Sequence, residues 1–463
     1  MSLLNAAHAF VWFLCVFCIA ARVNIKPDYR LAIKYSLLFY EAQRSGKLPP
    51  DNRIKWRGDS ATNDAGANGE DLSGGYYDGS DYVKFSYTMA YTMTILSWGL
   101  LAYENTYKNI SLYNDTLDAI KWGTDYFLKC HVSSHELYGQ VGDFTSDHAY
   151  WGRPEEMTMD RPAFKIDELH PGTDLAGQVS SALSSASIVF RHINQTYAQL
   201  LLNHSLELYD FAKEFRGLSV DVLPGAKEYY KFTSYGDELT WAAIWLYKAT
   251  ASERFLREAE DFFNQFLYTK KVTNMFFYND LTIGNKLLLA ESTGNPAYSH
   301  PVRDFCEKAV GDELKTPKGL IFVNKIGTLS HATNIAFVCL VAAELSDFPK
   351  EKYVDFAKTQ IDYILGSTGR SYVVGYGVDY PKKPLHAASS CPDRPAACGW
   401  EFIHSSEPNP QILYGALVSG PDGNDYYEDL REDFLYNEVG LDFNSGFQNV
   451  LVGLVHHKVQ EEK

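Results

Sequence analysis

Two carboxylates three residues apart are the first candidates for chemistry in this sequence. Asp78 and Asp81 lie in a turn rich in glycine, serine and aromatic residues, within the segment GGYYDGSDYVKF. Two carboxylates held this close raise each other's pKa, which suits a general base that must orient a water molecule. For an isolated pair with this spacing, a solvated turn of Asp and Gly residues is the alternative.

A second acidic segment lies near the C-terminus. It reads YEDLREDFLYNEVGLDFNSGF and contains Asp429 and Glu438. Apolar residues such as Leu435 and Val439 flank Glu438, and a carboxyl group in apolar surroundings tends to keep its proton, as a general acid must. A glutamate that caps the terminal helix is the alternative for this segment alone.

The elements that must bring these two segments together are mostly helices. Apolar residues recur at helical spacing in about a dozen segments, and alternating strands are few. The helical segments lie near residues 31–46, 87–104, 115–130, 175–189, 196–213, 237–250, 253–267, 299–309, 333–346, 351–365 and 443–456. Long connections rich in Gly, Pro and aromatic residues join them, and loops of this length are usually functional.

The overall composition is that of a globular, acidic chain. Of its 463 residues, 46% are apolar and 22% charged, which excludes an intrinsically disordered protein. The net charge of -16 argues against nucleic acid and against an anionic membrane as partners. Aromatic residues make up 14% of the chain, and flat rings with polar edges are typical of carbohydrate sites.

The N-terminus contains a short apolar stretch, AFVWFLCVFCIA, at residues 9–20. It is too short to span a bilayer and predicts a secretory signal peptide over residues 1–21, with a buried helix as the alternative. Four Asn-X-Ser/Thr sequons follow, at Asn109, Asn114, Asn194 and Asn203. We therefore expect a secreted, extracellular glycoprotein.

Removal of the signal peptide leaves an odd number of cysteines. They are Cys130, Cys306, Cys339, Cys391 and Cys398. At least one thiol is then unpaired within a monomer. Cys391 and Cys398 flank a proline-rich loop and are candidates for a local disulfide, whereas Cys339 lies in an apolar run and is interpreted as buried packing.

Six collinear segments resemble the animal members of glycoside hydrolase family nine, the secreted endo-β-1,4-glucanases (cellulases). Besides the two acidic segments they are DHAYWGRPEEMTMDRPAF (147–164), HPGTDLAGQVSSALSSAS (170–187), SYGDELTWAAIWLYKAT (234–250) and TPKGLIFVNKIGTLSHATN (316–334). The resemblance extends from Tyr29 to Leu454. It implies an all-α (α/α)6 barrel of six helical hairpins with an open substrate cleft, in a single domain over residues 25–463.

The resemblance also implies a role for each acidic residue. Asp81 would be the base, assisted by Asp78, Glu438 the acid, and Asp429 a supporting carboxylate. Hydrolysis would proceed with inversion, which requires the two catalytic carboxyl groups roughly 6.5–9.5 Å apart. The positions that bind sugar rings in the cleft would be His148, Trp151 and Tyr229.

The sequence departs from the family pattern at several sugar-contacting positions. Leu385 and Ala387 replace a His and an Arg, and Ile326 and Ser330 replace a Trp and an Arg. His386 is interpreted as an ordinary loop histidine. The substitutions indicate a divergent member: either a hydrolase whose activity is weakened or retargeted, or a catalytically inactive relative that binds carbohydrate.

A structural calcium site is a further implication of the resemblance. Its ligands would be Asp237 and Glu238, with oxygens of Thr233 and Ser234, and with Asn279 in place of a more distant Asp. Without the resemblance, adjacent acidic residues would be interpreted as a favourable helix N-terminus. No cofactor is needed for the chemistry, and we expect a monomer acting on a soluble or amorphous β-1,4-glucan.

Overall fold

Twelve helices of ten or more residues form the framework of the computed structural model, which describes residues 27–230 and 232–461. They are α1 (Tyr29–Ala42), α2 (Ser86–Ala102), α3 (Tyr113–Cys130), α4 (Thr173–Phe190), α5 (Gln195–Glu214), α6 (Gly236–Thr250), α7 (Glu253–Phe262), α8 (Thr282–Thr293), α9 (Pro296–Val310), α10 (Thr328–Ala342), α11 (Lys350–Asp362) and α12 (Leu441–Glu461). The signal peptide expected over residues 1–21 lies outside the described residues. In the described ranges, the helices are too short or too polar to cross a membrane.

Burial alternates along this series of helices. The even-numbered helices are buried on nearly every side, whereas the odd-numbered helices keep an exposed face. Each even-numbered helix contacts the next, and α12 returns to contact α2, so the six form a closed inner ring. Outer helices pair with inner ones, and α1 packs on α12. This is the (α/α)6 barrel, and the predicted fold class is confirmed.

Helix α8 is the element that the sequence pattern did not indicate. Nine of its residues, from Thr282 to Ala290, are buried. It has only 12 residues, the fewest of the six inner helices, and the buried polar residues Asn285 and Lys286 interrupt its apolar run, so no clear apolar periodicity marks it.

Close contacts between inner helices depend on glycine at two places. A Cβ atom on Gly99 of α2 would lie 1.9 Å from Oδ1 of Asn449 on α12. A Cβ atom on Gly446 of α12 would lie 2.0 Å from Oδ1 of Asn334 on α10. A larger residue at either position would have to displace a buried Asn side chain or move the two helices apart.

A small antiparallel sheet lies beside the barrel. The strand Glu136–Val141 pairs with Lys84–Phe85, with His131–Ser133 and with Ala163–Ile166. Lys84 lies opposite Val141 in this register. The sheet therefore fixes the chain three residues after Asp81, where it enters α2.

Two disulfides and one free thiol account for the cysteines of the described chain. The predicted bridge between Cys391 and Cys398 is present. Cys339 is bonded to Cys306, so its interpretation as simple buried packing was wrong: the bond joins α9 to α10. Cys130 is the remaining, buried free thiol.

The candidate segments all precede inner helices. The turn with Asp78 and Asp81 precedes α2, residues 147–164 precede α4, and Glu438 precedes α12. The barrel thereby gathers segments that are far apart in sequence.

Candidate active site

The turn that carries Asp78 and Asp81 contains one buried and one accessible carboxylate. Asp78 is buried, and the hydroxyl groups of Thr88 and Tyr230 donate to its two oxygens. In Asp81, 29% of the side chain is exposed. Burial raises the pKa of Asp81 to about 6, and burial together with the charge of Asp442 raises the pKa of Asp78 well above its usual value. Asp81 is therefore the carboxylate that can meet a water molecule.

A histidine and a second aspartate lie against Asp81. Nε2 of His148 is 3.3 Å from Oδ2 of Asp81 and 3.3 Å from the hydroxyl of Tyr229. Nδ1 of His148 is 3.1 Å from the Phe144 carbonyl, so Nδ1 carries the proton of the neutral ring. The neighbouring residue, Asp147, was not singled out from the sequence. Burial and the charge of Asp81 raise its pKa to about 8, which leaves Asp81 as the charged member of the cluster.

Backbone hydrogen bonds hold the segment of Glu438 on both sides. The Ser419 N–H donates to the Glu438 carbonyl at 2.8 Å, and the Leu385 N–H donates to the Asn437 carbonyl at 2.8 Å. The side chain of Glu438 is half-buried. Its position therefore depends on the loop around residue 385 as well as on α12.

Electrostatics separate the roles of the carboxyl groups. Burial, followed by the charges of Asp81 and Asp442, raises the pKa of Glu438 to about 8. Burial raises the pKa of Asp442, in the first turn of α12, to about 7. Asp442 lies in the same acidic segment as Glu438 but was missed from the sequence. Between pH 6 and 8, Asp81 is the group that loses its proton and Glu438 the group that keeps it, which is the division between a base and an acid.

Asp429 supports a loop and does not contact the acid directly. Its carboxylate accepts the N–H of Lys382 at 2.6 Å and that of Lys383 at 3.0 Å. The loop continues to Leu385, whose N–H binds the backbone before Glu438. Asp429 is thus a positioning residue for the loop that holds the acid segment.

His386 and Gln43 hold the base turn from its buried side. The Ser389 N–H donates to Nδ1 of His386 at 3.1 Å, so Nε2 carries the proton and donates to Oε1 of Gln43 at 2.8 Å. Nε2 of Gln43 then donates to the Gly79 carbonyl at 2.7 Å. Burial lowers the pKa of His386 to about 3, so the ring stays neutral. The interpretation of His386 as an ordinary loop histidine was wrong, because the buried ring is hydrogen-bonded through Gln43 to the base turn.

Comparison with known protein families agrees with the barrel fold and the pair of acidic residues. The model of glycosyl hydrolase family 9 matches residues 29–451. This chain belongs to that family.

Solved structures and curated relatives agree with this assignment. The endoglucanase of the termite Nasutitermes takasagoensis is 47% identical, with a TM-score of 0.92 over 94% of this chain and 100% of that one. The cellulase Cel9M of C. cellulolyticum, solved with cellobiose, is 33% identical, with a TM-score of 0.87 over 94% and 99% of the two chains. Endoglucanase A of Bacillus pumilus is 39% identical over 92% of this chain and 66% of its own length. Endoglucanase 15 of Arabidopsis thaliana is 36% identical over 90% and 91%.

Three aromatic side chains of this family 9 chain lie near His148: Trp151, Trp400 and Tyr229. Trp151 is only 9% exposed, and its Nε1 donates to Oγ of Ser390 at 2.9 Å. The ring of Trp400 lies 5.8 Å from that of Trp151, at an angle of 37°, and is 46% exposed. Trp400, which the sequence analysis missed, therefore presents the accessible ring, and Trp151 supports it from beneath. Tyr229 is also exposed.

The positions that differ from the family pattern have different surroundings. Ala387 is buried, and its N–H donates to the Ser80 carbonyl at 3.0 Å. Leu385 is half-buried and Ile326 is exposed. Ser330 lies wholly buried within α10, so its hydroxyl does not replace the guanidinium of the family's Arg at an accessible surface. Ser80, between Asp78 and Asp81, does not have a positive φ, so its backbone is unstrained.

The segment expected to bind calcium offers a suitable set of oxygen donors. Oγ of Ser234 donates to Oδ1 of Asp237 at 3.0 Å. The carboxylate across from Asp237 belongs to Asp280, not to the neighbouring Asn279, so the loss of charge inferred at Asn279 does not occur. Both carboxyl oxygens of Glu238 are buried and lack a protein partner among the described residues. Oxygen donors of this kind suit a hard cation, but Nζ of Lys270 lies 3.8 Å from Oδ2 of Asp237 and 3.5 Å from Oδ1 of Asp280, so a lysine already supplies positive charge there. Thr233 is exposed at the edge of the site.

All four predicted glycosylation sites lie on the surface. Asn109, Asn114, Asn194 and Asn203 are exposed. Oδ1 of Asn194 accepts the Tyr197 N–H at 3.0 Å and caps α5. The cap uses only the amide oxygen, so a glycan on the nitrogen is compatible with it.

Proposed function

We propose that this protein is an endo-β-1,4-glucanase that hydrolyses internal bonds of soluble or amorphous cellulose-like glucans with inversion at the anomeric carbon. The observation that carries the proposal is a difference in pKa between two carboxyl groups that interact electrostatically: the pKa of Asp81 is about 6 and that of Glu438 is about 8. An inverting glycosidase needs one ionised and one protonated carboxyl group at the same pH.

The reaction follows from these protonation states. Asp81 accepts a proton from a water molecule, whose oxygen attacks the anomeric carbon from the face opposite the leaving sugar. Glu438 donates its proton to the glycosidic oxygen as the bond to the anomeric carbon breaks. Asp78 assists by holding the turn in register, because its carboxylate binds Thr88 and Tyr230. Exposed rings of Trp400 and Tyr229 bind sugar faces.

The decisive experiment measures reducing-sugar release from carboxymethylcellulose, lichenan and cello-oligosaccharides. The parent protein is compared with E438Q and D81N, which keep the shape of each side chain and remove the proton donor or acceptor. We expect release by the parent and a loss of at least about 1000-fold in each variant. Proton NMR of the first product formed should show the α-anomer. A β-anomer would contradict inversion.

A catalytically inactive relative that binds carbohydrate is the second candidate. It is favoured by the absence of a guanidinium at position 387, where the resemblance expects an Arg and Ala387 is buried. An Arg fixes sugar hydroxyls through a rigid set of donors that Ala cannot replace. Binding of cellohexaose without reducing-sugar release from any of the glucans would establish this candidate and reject hydrolysis.

The setting of the enzyme is also part of the proposal. We propose a secreted, animal-type, monomeric glycoprotein. The 47% identity to the termite structure, against 33–39% to the bacterial and plant relatives above, supports the animal type. The exposed sequons, such as Asn109 and Asn194, and two disulfides support an oxidising, extracellular location. A mass decrease after enzymatic deglycosylation and the mass in light scattering test these points.

The cation site has a structural part in this proposal. Calcium is the ion that the resemblance implies, and Asp237, Glu238, Asp280 and Ser234 would hold it only where the Lys270 ammonium does not occupy the site. Such an ion would tie the first turn of α6 to the segment before α8. It would supply no group to the reaction of Asp81 and Glu438.

A further inference from the structure

Three buried carboxyl groups at the start of α6 and α8 surround one lysine. Asp237, Glu238 and Asp280 are 2%, 1% and 5% exposed. Nζ of Lys270 lies 3.8 Å from Oδ2 of Asp237 and 3.5 Å from Oδ1 of Asp280. An ammonium group thus lies between two carboxylates that would otherwise be calcium ligands.

The other contacts of these two carboxylates come from the protein itself. Oδ2 of Asp237 accepts the Leu281 N–H at 3.1 Å. The hydroxyl of Thr273 donates a hydrogen bond to Oδ2 of Asp280 at 2.7 Å, and the Thr282 N–H donates to Oδ1 at 3.2 Å. Hydrogen bonds and one ammonium therefore satisfy both carboxylates without a metal ion.

A calcium ion and the Lys270 ammonium would compete for the same oxygens. Calcium binds oxygen at about 2.3–2.6 Å and needs six to eight ligands. An ion bound to Asp237 and Asp280 would lie about 4 Å from the ammonium, where two positive charges repel strongly in a buried site.

We propose that Lys270 is an internal counter-ion that takes the place of calcium, so that the folded enzyme does not depend on the metal. Removal of the ammonium would leave two carboxylates without a cation, and would restore calcium binding. The unpartnered oxygens of Glu238 would then supply additional ligands. This inference does not depend on catalytic activity, because it concerns a site that supplies no reacting group.

Thermal unfolding with EDTA and with calcium chloride tests the proposal. We expect the melting temperature of the parent protein to differ by less than about 1 °C between about 2 mM EDTA and about 1 mM CaCl₂. This calcium concentration is at least roughly 100 times the Kd of a site with micromolar affinity. K270M should lose stability in EDTA and regain about 4 °C or more in calcium, because bound metal stabilises only the folded state. Isothermal titration should show one calcium site in K270M.

Two further variants make the test specific. Lys271 is exposed, so K271M is a matched control and should behave as the parent. K270M combined with D280N should lose the calcium response, because one ligand is gone. If K270M unfolds in EDTA, its refolding on addition of calcium is the same expected rescue. Equal destabilisation of the parent by EDTA would overturn the proposal, as would a K270M protein that binds no calcium.

Discussion

The carbonyl oxygen of Asp78 accepts the backbone N–H of Leu441 at 3.0 Å. This bond joins the turn of the base to the first residue of α12, three residues after Glu438. A second contact reinforces it, because a Cβ atom on Gly79 would lie 2.9 Å from the Val439 carbonyl. The spacing between base and acid is therefore determined by main-chain contacts between two segments at opposite ends of the sequence.

Substitution of Gly79 by alanine should disturb this spacing. The new Cβ atom would meet the Val439 carbonyl, which is backbone and cannot rotate away. We expect G79A to lower kcat about tenfold and to leave KM within twofold, because small displacements of a reacting group cost far more in turnover than in binding. S80G, one residue along, is the matched control and should stay within twofold of the parent. Equal kcat in parent and G79A would show that the turn tolerates the shift.

The pH dependence of kcat/KM should be bell-shaped. Asp81 must be ionised, so activity falls as the pH drops through its pKa of about 6. Glu438 must be protonated, so activity falls as the pH rises through its pKa of about 8. We expect a maximum near the midpoint, roughly pH 7, with the two limbs belonging to the coupled carboxyl groups. Initial rates on cellohexaose from pH 4 to 10 give the profile, and full activity at pH 9.5 would contradict the assignment of the acid.

The two nitrogens of His386 have separable tasks, which a pair of variants can distinguish. H386N keeps an acceptor for the Ser389 N–H but cannot reach Gln43, whereas H386Q keeps a donor toward Gln43. We expect H386N to lower kcat about tenfold and H386Q to retain most of it, because only the link through Gln43 reaches the base turn.

Melting temperatures of both variants separate this effect from a loss of folding. If His386 is purely structural, the kcat of each variant will fall in proportion to its loss of stability. The variant that keeps the donor toward Gln43 will then have no advantage in kcat.

The sequence predicted the barrel and its acidic residues better than their surroundings. The outer helices were predictable because each has a polar face opposite an apolar one. The acidic residues were predictable because the segments around Asp81 and Glu438 closely resemble those of the family. Helix α8 was missed because it is short and carries buried polar residues that break its apolar pattern. Asp280 was missed because an offset of one residue in a loop decides which side chain lies near Asp237. The link from His386 to Gln43 joins residues distant in sequence, and no local pattern indicates such a contact.

Trp400 should contribute to substrate affinity and much less to turnover. Its ring is 46% exposed and lies on Trp151, and its Nε1 donates to the Ala149 carbonyl at 3.2 Å, beside His148. A ring that stacks on a sugar remote from the broken bond binds ground state and transition state alike, so its loss raises KM and leaves kcat nearly unchanged. We expect W400A to raise KM for cellohexaose about three- to tenfold, the range of one aromatic contact, with kcat within twofold. Tyr268, an exposed ring after α7, provides the control: Y268A should leave both constants unchanged. A fall in kcat of W400A equal to the rise in KM would instead place this ring at the sugar that reacts.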